Sequence, residues 1–206
     1  MGYREVNWSL PRQRQILLAR QNMYDGTWEK TPSMGWMFVP LVEYHGGGEA
    51  ATLEPLSEHL DAYGAHLAQN FGWGVQACYR GPRLYDTEET KAVVRTWVDF
   101  YKAHRAILES DVIHLRRADG CDVDGIVHVN PQLPTCALIM VFNPLEVEAV
   151  RTWKIPLYYA GIEARAHVCE RGGSEKAYAL NRAYEIELEL RVPARGVNWY
   201  TVENAQ

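Results

Sequence analysis

The sequence predicts an α/β region followed by an all-β region: a partial (β/α) barrel-like layer with parallel strands, then an antiparallel β-sandwich. Three observations predict it. Two apolar runs, Trp36–Tyr44 and Gly74–Tyr79, are each followed by a polar loop and a helical pattern. From Asp122 the chain changes to short β-rich runs broken by turn residues. One of these runs, Glu185–Val192, alternates charged and apolar residues without a break, which marks a strand with one wet face and one buried face.

The α/β region is assigned to residues 1–110. Ser9 is placed to cap a first helix, with Pro11 in its opening turn. Ile16, Leu17, Arg20 and Met23 share one side of that helix, which stops near Asp25–Gly26. Strand Trp36–Tyr44 follows, then a glycine loop, Gly46–Gly47–Gly48, and a helix from near Thr52. That helix carries Leu53, Leu56, Leu60, Tyr63 and Leu67 at spacings of 3, 4, 3 and 4, one buried face. Strand Gly74–Tyr79 comes next. Asp86, with Glu89 three residues on, reads as a helix cap and capping box. The helix it opens places Val93, Val94, Trp97, Phe100, Tyr101, Ile107 and Leu108 inward. Strand–helix–strand–helix order implies parallel strands joined by right-handed crossovers.

The β-sandwich is assigned to residues 111–206. Its strands are Gly125–Val129, Ala137–Phe142, Val150–Leu157, Ala164–Glu170, Tyr184–Val192 and Val197–Val202. Asn130–Pro131 and Asn143–Pro144 end two of them with turn chemistry. The boundary falls near Ser110–Asp122, without a low-complexity linker. A closed (β/α) barrel takes roughly 250 residues, so the first region is either a small open sheet or the tail of a barrel.

Composition narrows the function classes. A formal net charge of −5 and a pI near 5.8 give nucleic acid no basic surface. No apolar run reaches the length of a membrane span. The start, Met1–Trp8, lacks the apolar centre of a signal peptide, and the compartment stays open. Cys78, Cys121, Cys136 and Cys169 are far apart with no C-x-x-C pair, so no structural zinc site is expected. Cys78, Cys136 and Cys169 fall in strands and read as small buried hydrophobes. His59 and His66 are seven apart, too far for joint ligation, which leaves His45 with Glu49 as the remaining metal candidate and no compact ligand motif. No cofactor is implied. The glycine loop lacks the lysine of a nucleotide-binding loop. Seven tryptophans and twelve tyrosines lean toward a carbohydrate site, although aromatics also fill cores, and Trp36 is expected in the core.

Polar residues at the ends of the two strands form the candidate site. Val42–Glu43–Tyr44–His45 closes the first, and Arg80–Gly81–Pro82–Arg83–Leu84–Tyr85–Asp86 follows the second. In α/β folds, ligands sit at the carboxyl ends of parallel strands. Glu43 is open to three roles: a sugar hydroxyl contact, a catalytic carboxylate or a structural ion-pair partner. Asp86 is either a second carboxylate or the helix cap. Arg80 and Arg83 suit sugar hydroxyls or carboxylates, or one of them pairs with Glu43 or Asp86 to hold the loop. Tyr44, Tyr85 and His45 complete the substrate-binding set, with Tyr79 beside them.

Asn7–Trp8–Ser9, Tyr24–Trp28, Val39–Gly47, Cys78–Asp86 and Ile126–Pro131 together resemble the C-terminal portion of large bacterial glycoside hydrolase-like proteins with an α-galactosidase-type barrel. The resemblance implies that the two strands are the last of a barrel followed by a β-sandwich. It also implies that the catalytic carboxylates lie largely upstream, so this chain is catalytically incomplete and keeps part of the substrate rim. In another large clan a glutamate ending the seventh strand is the nucleophile, which would suit Glu43. The partners implied are a carbohydrate and a missing barrel segment or partner chain. The competing readings are a non-catalytic carbohydrate-binding or interaction module, and a small α/β enzyme using Glu43 and His45 as acid and base.

Overall fold

The computed structural model describes residues 6–44 and 46–205. The chain divides into two compact units, Met1–Arg105 and Ala106–Gln206, with the division inside the last turns of one helix.

In the first unit, α1 spans Arg12–Gly26 and β1 spans Trp36–Pro40. Pro11, not Ser9, occupies the position before α1, and no side chain caps it. Instead the Ser9 N–H is drawn to the Asn7 side chain, at 3.0 Å. The helix expected from Thr52 starts later. Pro55 interrupts the pattern, a 3-10 turn covers Leu56–His59, and α2 runs Leu60–Gly72. The expected apolar face still packs: Leu53, Leu56, Tyr63 and Leu67 are buried with Val39 and Leu41. Strand β2, Gln76–Arg80, lies parallel to β1, with Phe38 opposite Cys78 and Pro40 opposite Arg80. The last helix, α3, spans Glu88–Leu108.

Two buried-residue expectations fail here for one reason. Trp36 and Gln76 are paired at the start of the two strands, and Trp36 is 40 % exposed. Along β2, Gln76, Cys78 and Arg80 are all exposed, while Ala77 and Tyr79 are partly covered. Cys78 therefore sits on the open side of a half-covered strand instead of in the core.

Among the described residues the second unit holds eight strands: β3 (Asp111–Arg116), β4 (Asp124–Val129), β5 (Thr135–Phe142), β6 (Ala149–Pro156), β7 (Arg165–Glu170), β8 (Glu175–Ala179), β9 (Glu185–Val192) and β10 (Val197–Asn204). Six of these are the runs expected from the sequence; β3 and β8 are additional. They form a six-stranded antiparallel sheet in the order β3-β4-β5-β10-β7-β8 and a two-stranded antiparallel sheet, β6-β9. Val127, Ile139, Val141, Val168 and Val202 of the larger sheet share one core with Ile155, Ile186, Leu188 and Leu190 of the smaller. The unbroken alternation of β9 is what allows this: its apolar set is buried, while Glu187, Glu189 and Arg191 face water. Both Asn–Pro turns close on the asparagine side chain. Asn130 Oδ1 accepts from Gln132 N–H at 3.0 Å, and Asn143 Oδ1 accepts from Leu145 N–H at 2.9 Å.

Candidate functional site

The candidate residues lie in the first unit, where β1 and β2 end. Leu41 ties the two strand ends together. Its N–H donates to the Arg80 carbonyl at 2.8 Å, and its own carbonyl accepts from the N–H groups of Leu53 and Glu54 and from the Thr52 hydroxyl, at 3.1, 2.8 and 3.1 Å. The chain leaving β1 and the chain leaving β2 are thus fixed to one segment, Thr52–Glu54. Gly81 is needed for this closeness. A Cβ there would lie 2.6 Å from the Leu41 Cβ, closer than side chains tolerate.

The loop after β2 is anchored three times to the segment after β1. The Arg83 guanidinium grips both Glu54 carboxylate oxygens, at 3.0 and 2.8 Å. The Tyr63 hydroxyl donates to the Leu84 carbonyl at 2.9 Å. Burial, and then the nearby Glu54 charge, push the Tyr63 phenol up to about 12, so it remains a donor across the physiological range. Asp86 Oδ2 accepts from the Ser57 N–H and hydroxyl, each at 3.0 Å. Arg83 therefore holds the loop, but through Glu54 rather than through Glu43 or Asp86.

Asp86 is a structural carboxylate in this arrangement. The cap of α3 is shifted by one residue from the sequence expectation. Thr87 Oγ1 accepts from Thr90 N–H at 3.2 Å, and Thr90 Oγ1 accepts from Thr87 N–H at 3.0 Å, a reciprocal box made by Thr87 and Thr90 in place of Asp86 and Glu89. Thr90 then donates its own proton to Asp86 Oδ1 at 2.9 Å. Desolvation pushes the Asp86 carboxyl up, but the hydrogen bonds from Ser57 and Thr90 outweigh it and hold the group near 2. A group so held is a poor proton donor.

Of the remaining rim residues, Glu43, Arg80 and Tyr85 are exposed and Tyr44 is partly buried. Glu43 is exposed and makes no hydrogen bond or ion pair among the described residues. Tyr44 packs on Phe38 with ring centroids 4.9 Å apart, and the Arg80 guanidinium lies over the Tyr44 ring at 5.2 Å. Among the expected site residues, Tyr44 from the first strand end and Arg80 from the second thus meet side chain to side chain. Tyr85 is half exposed, and the Lys91 ammonium sits 5.6 Å from its ring centroid. His45 lies outside the described residues. Glu54, Ser57 and Thr90 are the residues sequence reasoning missed; only the Thr87-x-x-Thr90 spacing carried a local signal.

Phe38 links the rim to the interior. Trp8 meets it edge-to-face at 6.3 Å and lies 6.0 Å from the His66 ring. His66 is buried on α2 beside Gln69, whose side chain also accepts from Arg20 at 3.3 Å. No group of three or more His, Cys, Asp or Glu side chains that could hold a metal occurs among the described residues.

No protein-family model matches the sequence, and no curated protein matches it. Solved structures do share its fold. A GH27 β-L-arabinopyranosidase from Geobacillus stearothermophilus superposes with a TM-score of 0.62 at 10 % identity, covering 98 % of this chain and 44 % of that one. α-Galactosidase I from Mortierella vinacea gives 0.52 at 15 % identity, over 92 % and 45 %. AmyP in complex with maltose gives 0.57 at 10 % identity, over 92 % and 45 %. The chain therefore shares the fold of these structures, and it spans less than half the length of each of the three. None of its helices is long and apolar enough to cross a membrane, among the described residues.

Proposed function

We propose that the chain is the C-terminal portion of a glycoside hydrolase-like protein, with one partly built sugar-binding rim in its first unit and a β-sandwich as its second. The carrying observation is the joining of two parallel strand ends by Leu41, Glu54 and Arg83, with Glu43, Tyr44, Arg80 and Tyr85 left at the surface. Tyr85, about half exposed, offers ring surface to a pyranose beside the Tyr44–Arg80 pair. Glu43 and Arg80 supply an acceptor and donors for its hydroxyls, and His45 joins them on the sequence reading.

Hydrolysis of a glycosidic bond needs two carboxyl groups, about 5 Å apart for retention or roughly 6.5–9.5 Å for inversion. With Asp86 held by Ser57 and Thr90 and Glu54 held by Arg83, Glu43 is the carboxylate left at the rim among the described residues. The carboxylate pair then comes largely from a further segment. The half-covered β2 supports that view. Parallel strands are normally covered on both faces, and β2 exposes Gln76, Cys78 and Arg80. A further β/α segment or partner chain that pairs with β2 would cover them and complete the barrel-like layer. Taken alone, the chain acts as a non-catalytic carbohydrate-binding module.

Calorimetry of the purified chain against galactose, arabinose, maltose and longer oligosaccharides tests the rim. Binding to at least one sugar is expected, weakened about tenfold or more in Glu43→Gln, the loss of one charged hydrogen-bond partner. The parent chain is expected to release no aryl alcohol from nitrophenyl glycosides. Binding that is unaltered in the variant would remove Glu43 from the site.

A further inference from the structure

The second unit carries a cluster of exposed aromatics that the rim does not use. Tyr158 and Tyr159 are 60 % and 64 % exposed, and Tyr184 is 38 % exposed. Their rings touch: Tyr158 lies 5.2 Å from both neighbours, at 84° to Tyr159 and 69° to Tyr184. Edge-to-face contacts leave at least one ring of each pair unstacked on both faces.

We infer that Tyr158, Tyr159 and Tyr184 form a binding surface for a neutral oligosaccharide. The backbone first supports this. Tyr184 has φ +58°, a left-handed conformation that a bulky residue rarely adopts and that glycine or asparagine would hold with less strain. A turn needs no ring at that position. Strain kept at an exposed aromatic points to a use for the side chain.

The cluster is also held in place before any ligand arrives. Tyr158–Ala160 is a 3-10 turn closed by Gly161 in the left-handed region. Leu157 N–H donates to the Tyr184 carbonyl at 2.8 Å, joining that turn to the β8–β9 connection. In the connection, Asn181 Oδ1 accepts from the N–H groups of Ala183 and Glu185, at 2.8 and 3.0 Å. Ordering of this kind lowers the entropy lost on binding, and tyrosine has only two side-chain torsions to fix.

The chemistry selects the ligand. The C–H bonds on the face of a pyranose ring meet the electron-rich face of an aromatic ring, and the three phenol hydroxyls match sugar hydroxyls. Asn181 and Glu185 add polar groups at the edge. On the adjoining outer face of β6 and β9 the charges are mixed: Glu189 pairs with Arg191 at 3.2 Å and the exposed Lys154 stands opposite Glu187, so no field of one sign favours a charged ligand. The exposed aliphatics of this unit, Val147 and Val150, lie toward the other end of the β6–β9 ladder, so the cluster is aromatic without an apolar extension.

Affinity electrophoresis of the full chain in gels cast with soluble starch or with galactomannan tests the inference, the two polymers separating glucan from galactose-bearing ligands. The parent chain is expected to be retarded in at least one. Tyr158→Ala with Tyr159→Ala should weaken that binding about tenfold or more, as loss of central aromatic anchors does. Tyr184→Gly should weaken it while the thermal midpoint stays the same or rises, which separates binding from folding. No retardation in either polymer, or equal retardation of all variants, would overturn the inference. A concentration-dependent dimer in sedimentation that Tyr158→Ala abolishes would assign the surface to self-association instead.

Discussion

Ile139→Ala is expected to lower the stability of the second unit by about 3 kcal/mol and its thermal midpoint by about 15 °C. Ile139 is fully buried at the middle of β5, opposite Val127 of β4 and Tyr200 of β10. Its side chain belongs to the core shared by the two sheets. Removing three carbons there loses burial and leaves a cavity that strands paired on both sides close poorly. Thr152→Ala, on the exposed outer face of β6, should change stability by less than about 0.5 kcal/mol. Urea unfolding followed by tryptophan fluorescence measures both. Similar losses in the two variants would mean that the sheets do not share a tightly packed core.

Acid should loosen the first unit through His66, by up to about 3 kcal/mol. Burial, and then the Arg20 charge, lower its imidazole from 6.5 to about 4. In the unfolded chain the ring takes up a proton near 6.5. Between the two values the unfolded state binds a proton that the folded state does not, so stability falls as pH drops from about 6.5 toward 4. Above that window the effect is flat. The consequence reaches the rim, because His66, Trp8, Phe38, Tyr44 and Arg80 form one line of ring and cation contacts. Sugar affinity at the Glu43 loop should therefore weaken below pH 6 together with the unfolding midpoint. In His66→Gln both should lose most of that dependence. A pH profile unchanged by the substitution would assign acid sensitivity to other groups.

The periodic elements were legible because their burial is one-sided. The alternation of Glu185–Val192 fixed both the strand and its faces, and the spacing of Leu53, Leu56, Tyr63 and Leu67 found a real buried face. Strand β8 was not legible. Glu175–Ala179 is a mostly exposed edge strand whose polar residues carry no period. Strand β3 follows α3 after two residues and read as a boundary. The start of α2 was misplaced because apolar spacing continued through Pro55, where the backbone could not follow.

The site was legible only in part. Residues ending the two strands stood out, and Tyr44 and Arg80 do meet. Their supports did not. Glu54 is 29 positions from Arg83, and Ser57 is 29 from Asp86, so both pairings are tertiary and leave no mark in local sequence. Asp86 was open to two roles, helix cap or half of a carboxylate pair, because an acid before a helix suits either; its three hydrogen bonds, two from Ser57 and one from Thr90, tie it to the loop. The tyrosine cluster was invisible for the same reason, since Tyr184 and Tyr158 come together through a backbone bond between distant turns.

The most direct test of the proposed rim is a titration of the isotopically labelled chain with galactose and with maltose, followed by amide chemical shifts. The account predicts that shifts concentrate at Val42–Tyr44 and Arg80–Tyr85. Shifts absent from both loops at saturating sugar, in a folded sample, would contradict it.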